Sequence, residues 1–296
     1  MVINKTLLVV LVICFSFACK KTDSETRTDN NKIYDLSNAQ DNLNAFVKVR
    51  ASMNEDEEVI YYANGKIYGF VDGERDKPLL GYEMYNIGRA LKVDGGYNLL
   101  TNEVLLYTDL ETGEVLETFK NPYTDKEVNV LHVWNSPVNQ EFRLKGKYGK
   151  WGVSHNKYGD DRICMNADVF LAYPSPLKVA DYPENSQSDL YEAVELFQFF
   201  FSESDLNNSD KLSTDVDISW TRIGPWLPWM EMGQRPGKVV YQGAGYKLLE
   251  KDYNDMPAVL RDYVMANKPE YRHAPTEYSA PNETSWTYYK KMNPKK

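Results

Sequence analysis

Short runs of β-branched and aromatic residues, separated by turn residues at near-regular intervals, are the strongest fold signal in this chain. Residues 59–63 precede Asn64-Gly65, residues 104–107 follow Gly95-Gly96, and residues 128–134 follow a further turn. This spacing, without helical segments between the runs, is typical of an antiparallel sheet. Asn64-Gly65 also predicts a tight hairpin, because both residues of such a turn take positive φ.

The second half of the chain continues this pattern less regularly. Residues 191–201 fit both a strand alternation and a helical period, and the β-rich neighbours favour the strand. Helices are predicted over residues 36–53 and 256–267, where apolar residues recur at helical spacing. Further strands are predicted at residues 218–223, 238–249 and 284–290.

Together these elements predict a mainly β fold, an antiparallel barrel or barrel-like sheet of calycin-like outline with a few peripheral helices. A two-sheet β-sandwich is the alternative. Closure of the sheet would remove the exposed edges that so many short strands otherwise present. No shift in composition divides residues 36–292, which are predicted to form one β-rich domain with its own core.

Residues 1–18 have the layout of a bacterial signal peptide, with a short apolar run that ends in Ser16-Phe17-Ala18-Cys19. The run is too short to span a bilayer. We expect cleavage before Cys19, lipid on this cysteine and a flexible polar tether over residues 19–35. An ordinary signal peptide cleaved elsewhere is the alternative. The expected location is the bacterial cell envelope, with membrane contact only through the lipid anchor.

Charge and cysteine content exclude several classes of function. The chain has 34 basic and 43 acidic residues, so nucleic acid is not an expected partner. With Cys14 removed and Cys19 acylated, Cys164 has no disulfide partner and is expected to be buried and inert. The three histidines share no short ligand spacing, and phosphate-binding and hydrolase motifs are missing from the sequence. No metal site and no cofactor are therefore predicted.

The densest local motif is the stretch 220–230, which holds Trp220, Trp226 and Trp229 together with two prolines. Proline is incompatible with a regular helix here and can stiffen a loop that holds indole rings in place. The rings are predicted either to plug one end of the sheet or to wall a ligand cavity. The two alternatives are compatible if the plug forms the cavity floor. Arg222 is positioned to bind a carboxylate through two hydrogen bonds.

Two further clusters carry polar groups suited to chemistry. His132 and Trp134 are alternate residues of one predicted strand and therefore share a face. His132 and Glu283 are the predicted catalytic residues, acting as proton-transfer groups. The alternatives are a structural histidine and a solvated carboxylate. The predicted ligand-binding residues are Arg89, Trp134, Asn135, Trp220, Arg222, Trp226, Trp229, His273 and Asn282, with Arg89 or Arg222 anchoring a polar group.

Several motifs stand in a fixed order along the chain: Asn64-Gly65 with Tyr68, Asn86-Ile87-Gly88-Arg89, Asn121-Pro122-Tyr123-Thr124, residues 132–139, residues 220–230 with Arg235-Pro236-Gly237, residues 269–275 and residues 282–288. In these motifs the chain resembles the domain of unknown function 1838 family of bacteria and fungi, over about residues 40–290. The resemblance implies no assigned activity. It implies that one site or framework contains Arg89, His132, Asn135, Arg222, Trp226, His273, Asn282 and Glu283.

The leading functional hypothesis is an envelope lipoprotein that binds a small apolar or aromatic ligand in an aromatic-lined cavity. Whether such a ligand is also converted is left open by the sequence. The second hypothesis is binding or processing of surface glycans, because exposed Trp and Tyr rings stack on sugars, and it expects an open Trp platform. The third is a structural envelope component without a ligand.

Overall fold

A computed structural model of the chain describes residues 33–146, 149–248 and 252–295. The predicted signal peptide, Cys19 and nearly all of the predicted tether lie outside the described residues. Strands make up 42% of the described residues and helices 17%, which confirms the mainly β prediction. No described helix is both long enough and apolar enough to cross a bilayer.

The secondary structure consists of many strands and few helices. The strands are β1 (Val59–Phe70), β2 (Lys77–Val93), β3 (Gly96–Thr108), β4 (Thr118–Lys120), β5 (Glu127–Asn129), β6 (Val133–Asn135), β7 (Gln140–Arg143), β8 (Lys145–Gly146), β9 (Gly149–Lys150), β10 (Ser154–Tyr158), β11 (Arg162–Pro174), β12 (Leu190–Ser202), β13 (Asp217–Gly224) and β14 (Lys238–Lys247). The helices are α1 (Ala39–Arg50), α2 (Glu203–Leu206), α3 (Ala258–Asn267) and α4 (Ser285–Met292).

One large antiparallel sheet dominates the fold. Its strand order is β10-β11-β12-β13-β14-β1-β2-β3-β6, and β7 also pairs with β3. Two small ribbons, β4–β5 and β8–β9, stand outside it. In the described part of the chain, no ladder joins β10 at one edge to β6 or β7 at the other. The predicted antiparallel sheet is therefore confirmed, as an open sheet rather than a closed barrel.

The sheet curls strongly around α1. The ring of Phe46 in α1 lies 5.3 Å from that of Phe142 in β7 and 5.7 Å from that of Phe199 in β12. Five strands separate β12 from β7 in the sheet order. In a flat sheet this would place them about 29 Å apart at the usual strand spacing. Because one phenylalanine contacts both strands, the sheet is bent into a barrel-like trough with α1 inside.

Strand alternation gives the sheet two faces with separate cores. Tyr61 and Ala63 of β1 lie on the face that packs against α1, which we call the α1 face. Ile60 and Tyr62 lie on the opposite face, which we call the α3 face because Leu260 and other α3 residues cover it. The α1 face carries a second aromatic cluster at the end remote from α1. The interior of the trough is therefore the α1 face.

Helix α1 lies within the predicted segment 36–53 and is shorter than that segment at both ends. The Asn38 side chain caps it by accepting hydrogen bonds from the backbone N–H groups of Gln40 (2.8 Å) and Asp41 (3.3 Å). Its last turn carries Lys48 and Arg50, which suits the negative end of the helix dipole. The helix predicted over residues 36–53 is confirmed. It delivers Arg50 to the interior of the trough, and this placement matters for the site.

The predicted hairpin at Asn64-Gly65 is wrong, because β1 runs through both residues without a turn. Gly65 pairs with Gly243 of β14 on one side and Tyr82 of β2 on the other. A Cβ atom at Gly65 would lie 2.1 Å from the Gln242 carbonyl oxygen and 2.8 Å from the Tyr82 hydroxyl. Glycine is required here for a close approach between elements rather than for positive φ.

The strand predicted over residues 284–290 is also wrong, because this segment forms α4. Thr284 and Thr287 form a capping box, in which each side chain bonds to the backbone N–H of the other. The capping signal outweighs the β propensity of the local residues. The strand predicted over residues 191–201 is confirmed as β12, and the helix over residues 256–267 as α3.

Candidate functional site

A row of polar residues crosses the middle of the α1 face. Asn86 of β2 stands directly opposite Glu103 of β3, and Glu103 stands directly opposite Asn135 of β6. The Asn135 Nδ2 donates to Glu103 Oε2 at 3.4 Å. Cross-strand partners share one face of a sheet, so all three side chains enter the trough. Apolar residues flank the row along β2 and β3, which makes the row a polar layer within an apolar interior.

Arg50 reaches this row from the last turn of α1. Its Nη2 donates to Asn86 Oδ1 at 2.9 Å, and its guanidinium carbon lies 5.1 Å from the centre of the Tyr61 ring. Burial lowers the pKa of Arg50, and the Tyr61 and Glu103 oxygens oppose this effect. Among the described residues, no carboxylate lies within ion-pair distance of Arg50. Its positive charge is therefore left without a contacting counter-ion.

The opposite wall of the trough carries a second ionic group. Arg222 of β13 donates from Nε to Glu195 Oε1 of β12 at 3.2 Å, and from Nη2 to the Tyr191 hydroxyl. The Arg222 side chain is 10% exposed and the Glu195 side chain is 24% exposed. Burial opposes the charge of Arg222, but the oxygens of Tyr191, Tyr241 and Glu195 raise its pKa. This pair is thus charge-balanced within itself.

The two walls interact electrostatically through Glu103. Burial and the negative charge of Glu195 raise the pKa of Glu103 to about 7, although Asn135, Arg50 and Arg222 oppose the shift. Glu103 lies deep among protein atoms and yet keeps part of its surface accessible. This combination indicates a space beside it that water can enter. We call the six residues the polar centre: Arg50, Asn86, Glu103, Asn135, Glu195 and Arg222.

Some of the buried polar atoms without partners lie in or near the polar centre, whereas others, such as His132 Nε2 and Arg89 Nε, lie elsewhere in the described residues. Asn86 Nδ2, Asn135 Oδ1, Trp220 Nε1 and the Tyr82 hydroxyl are buried and have no hydrogen-bond partner among the described residues. All four belong to side chains on the α1 face. Buried polar groups in folded proteins are normally bonded to protein or to ordered solvent. These atoms are therefore positioned to bond to a molecule within the trough.

Aromatic rings extend the site from the polar centre toward the part of the stretch 220–230 that follows β13 and holds Trp226 and Trp229, which we call the Trp loop. Trp220 stacks on Phe197 with ring centres 6.3 Å apart and lies edge-on to Tyr82 at 5.9 Å. Trp229 meets Tyr107 at 5.2 Å. Phe197 is only partly buried, so this region of the wall is accessible to solvent. An apolar molecule here would lose water contact against several rings.

Two hollows on the outer surface contrast with this interior. One of about 500 Å³ lies beside Trp151 and the start of α1, and one of about 580 Å³ lies beside Arg162 and α2. None of the residues predicted from sequence lines either hollow. None of the unpartnered buried polar atoms of the described residues lies there. Neither hollow therefore belongs to the polar centre.

Five of the residues predicted from sequence lie on or at the end of the α1 face. Trp220, Arg222 and Asn135 belong to the site described above. Trp226 and Trp229 are buried in the aromatic cluster at the trough end, where Trp226 Nε1 donates to the Arg235 carbonyl at 3.0 Å. The Trp loop thus closes that end of the trough. This arrangement fits the plug alternative, and the predicted role of the rings as a cavity floor stays a prediction.

Three other predicted residues lie on the α3 face. Arg89 forms an ion pair of 2.6 Å with Glu58, whose second oxygen lies 3.2 Å from His273 Nδ1. The His273 side chain is 68% exposed. Trp134 packs against Tyr271 with ring centres 5.3 Å apart. The sheet therefore separates these residues from the polar centre.

His132 and Glu283, the predicted proton-transfer pair, are not joined by any contact in the described ranges. His132 Nδ1 accepts a hydrogen bond from the Tyr107 backbone N–H at 3.1 Å, and burial lowers the pKa of His132 to about 4. The Glu283 Oε1 atom lies 3.6 Å from the Lys291 Nζ atom. His132 is therefore neutral at pH 7. The catalytic role of the pair remains a prediction.

Asn282 is engaged in a backbone clamp. Its Oδ1 accepts from the Asn139 N–H at 2.9 Å, and its Nδ2 donates to the Asn139 carbonyl at 2.9 Å. Both functions of the amide are therefore used to hold the loop after β6 against the segment before α4. This contact gives Asn282 a structural role, and its predicted ligand contact remains untested.

Sequence reasoning missed Arg50, Glu103, Glu195 and Tyr191. Each carboxylate occupies an inward position of an alternating strand, with Leu105 next to Glu103 on the same face. A charged residue at an apolar position of the alternation was the available signal. It went unused because Glu103 and Glu195 lie outside the aromatic motifs.

The raised pKa of Glu103 predicts a pH-dependent contribution to stability. An unfolded chain releases this proton near the ordinary carboxyl pKa, while the folded protein holds it to about 7. The folded state therefore loses stability as pH rises between these two values, and the loss persists above them. We expect Glu103→Gln to raise the melting temperature more at pH 8 than at pH 5. An equal change at both pH values would contradict this assignment.

The fold and the site define a class: a β-rich protein with a trough-shaped antiparallel sheet and an ionic, partly unsatisfied centre inside it. The chain belongs to the family described as protein of unknown function (DUF1838), whose sequence model matches residues 56–293. The resemblance identified from the motifs is thereby confirmed. No curated protein sequence matches the chain.

Proposed function

We propose that this protein binds a small, mainly apolar or aromatic molecule inside the trough, with one polar group of the ligand at the polar centre. The observation that carries the proposal is that Asn86 Nδ2 and Asn135 Oδ1, on the two cross-strand neighbours of Glu103, are buried and have no partner among the described residues. Binding sites for small molecules are typically apolar with a few convergent polar groups. The aromatic wall formed by Phe197 and Trp220 supplies the apolar part of this pattern.

The burial of the indole rings favours this proposal over glycan binding. A glycan-binding surface needs exposed rings, whereas Trp220, Trp226 and Trp229 are 6%, 3% and 5% exposed. Rings that are nearly inaccessible cannot form the open platform that polymeric sugars require. A compact molecule does not need an exposed ring platform, and it could enter the trough beside the partly exposed Phe197.

The proposal places the protein in the bacterial envelope, held by lipid on Cys19. The support is the signal-like sequence of residues 1–18 and the acidic, single-domain composition that follows. A tethered binding domain would hold its ligand close to the membrane surface. Metabolic labelling with an alkyne-bearing fatty acid, with Cys19→Ser as the control, tests the anchor directly. Labelling that persists in the Cys19→Ser variant would contradict it.

Ligand binding in the trough is expected to change the fluorescence of Trp220. We would screen small aromatic and aliphatic acids and alcohols by fluorescence titration and thermal shift. In Trp220→Phe, the ligand-induced change should fall by more than half, because this indole lies beside the polar centre. The matched variant Trp134→Phe removes an indole from the α3 face and should keep the change. If Trp134→Phe lost more of the ligand-induced fluorescence change than Trp220→Phe, the ligand would lie on the α3 face, which would contradict this proposal.

A further inference from the structure

Arg50 of α1 differs from Arg89 and Arg222 of the sheet in its partners. Arg89 and Arg222 each contact a carboxylate, at 2.6 Å and 3.2 Å respectively. Arg50 contacts only the side-chain oxygen of Asn86 and the Tyr61 ring among the described residues. A guanidinium has five N–H donors, and buried charges are normally paired. Lys247 on the same face also lacks a carboxylate partner, but its ammonium group donates to the Lys48 and Ala51 carbonyls and to the Ser213 hydroxyl. Arg50 therefore brings to the trough a positive charge with no contacting carboxylate and with few hydrogen-bond partners among the described residues.

Hydrogen-bond donors converge beside this charge. Because Asn86 Oδ1 accepts from Arg50, the Asn86 Nδ2 points its two hydrogens elsewhere, and it has no partner in the described structure. Asn86 stands opposite Glu103 in the ladder, so these donors adjoin the space next to Glu103. A planar guanidinium fork with a neighbouring amide N–H matches the geometry of a carboxylate.

We propose that the ligand of the trough is a monocarboxylic acid whose carboxylate is bound by Arg50 and Asn86 Nδ2 beside Glu103. This inference rests on the proposed function and specifies its ligand. One negative charge suffices, because Glu195 already balances Arg222. The apolar part of the acid would lie along Met84 and Leu105, the next inward positions of β2 and β3 toward the aromatic cluster.

Binding of such an anion is coupled to the protonation of Glu103. Several groups face this carboxyl: Arg50 from α1, Asn86 from β2, Asn135 from β6, Glu195 from β12 and Arg222 from β13. A ligand carboxylate next to an ionised Glu103 would bring two negative charges together. A protonated Glu103 would instead donate a hydrogen bond to the ligand. Affinity should therefore fall as pH rises from 6 to 8.5, although the ligand itself stays ionised.

The test compares decanoate with decanol, which share a chain and differ in charge. Titrations followed by Trp fluorescence and calorimetry should show decanoate binding about tenfold or more tightly at pH 6. Arg50→Gln should weaken decanoate to the level of decanol and leave decanol unchanged. Arg50→Lys, which keeps the charge, should retain part of the preference. Arg89→Gln on the α3 face is the matched control and should change neither affinity.

Two further outcomes separate this inference from the proposed function. In Glu103→Gln, the decanoate affinity should lose its dependence on pH between 6 and 8.5. Equal affinities for decanoate and decanol in the wild type would overturn the carboxylate site and leave ligand binding in the trough intact. No binding of either molecule would overturn both. Circular dichroism of each variant establishes folding, and the comparison within the wild type needs no variant.

Discussion

Replacing Arg222 by methionine is expected to destabilise the protein by about 3 kcal/mol. The guanidinium is 10% exposed and bonds to both Glu195 and the Tyr191 hydroxyl inside the trough. Its removal leaves a largely buried carboxylate without a positive partner, and this is the costly part of breaking a buried ion pair. Urea unfolding followed by circular dichroism would measure the loss as a lower midpoint at an unchanged slope.

The double variant Arg222→Met with Glu195→Gln should recover part of that loss, since the orphaned charge is then gone. The matched control is Arg162→Met. Arg162 forms an ion pair of 2.8 Å with Asp217, but the two side chains are 55% and 65% exposed. Exposed pairs contribute about 1 kcal/mol or less. If Arg162→Met destabilised as much as Arg222→Met, the interior pair would have no special role in stability.

Replacing Gly65 by alanine is also expected to destabilise by about 3 kcal/mol, the upper range for overpacking. The added Cβ would stand 2.1 Å from the Gln242 carbonyl oxygen and 2.7 Å from the Gly243 Cα. Both atoms belong to the backbone of β14, which is hydrogen-bonded on both sides and cannot move away easily. Relief of the clash would require separating β1 from β14 in the middle of the sheet.

Gly152→Ala is the matched control for Gly65→Ala, because nothing lies within 4 Å of a Cβ at Gly152. The control should stay within about 0.5 kcal/mol of the wild type. Thermal unfolding of both variants gives the comparison. A wild-type melting temperature for Gly65→Ala would mean that β1, β2 and β14 are not packed as closely as described.

The polar centre and the stability of the trough are connected. Arg222 orders the wall formed by β12 and β13, while Asn86 and Glu103 belong to the wall formed by β2 and β3. A ligand between them would satisfy atoms that the fold leaves without partners. Binding should therefore raise the melting temperature by mass action. The protein without ligand would therefore be less stable than the complex.

Local patterns identified most of the secondary structure. The alternation in residues 191–201 predicted β12, and helical spacing of apolar residues predicted α1. Both signals depend on side chains only a few positions apart. They failed at Asn64-Gly65 and at residues 284–290 for different reasons. The glycine serves a close contact with other strands, and the Thr284 capping box opposes a β-rich composition.

The candidate site was only partly predictable. Trp220, Arg222 and Asn135 were identified as candidates from motifs, and the structure places them on the α1 face. Arg89 and His273 were assigned to the same set, but they lie across the sheet with Glu58. Motif content shows which side chains carry chemistry. It does not show which face of a long strand each one occupies once bulges and turns are included.

Strand alternation, helix capping and the acidic charge of the chain follow from its order of residues, because these properties arise over short distances or from composition alone. The meeting of Arg50, Glu103 and Glu195 does not. It requires a sheet bent so far that β7, which pairs with β3, and β12 approach each other across α1. This curvature comes from packing among residues remote in the chain. Such packing is a cooperative property of the whole fold, and no local stretch encodes it.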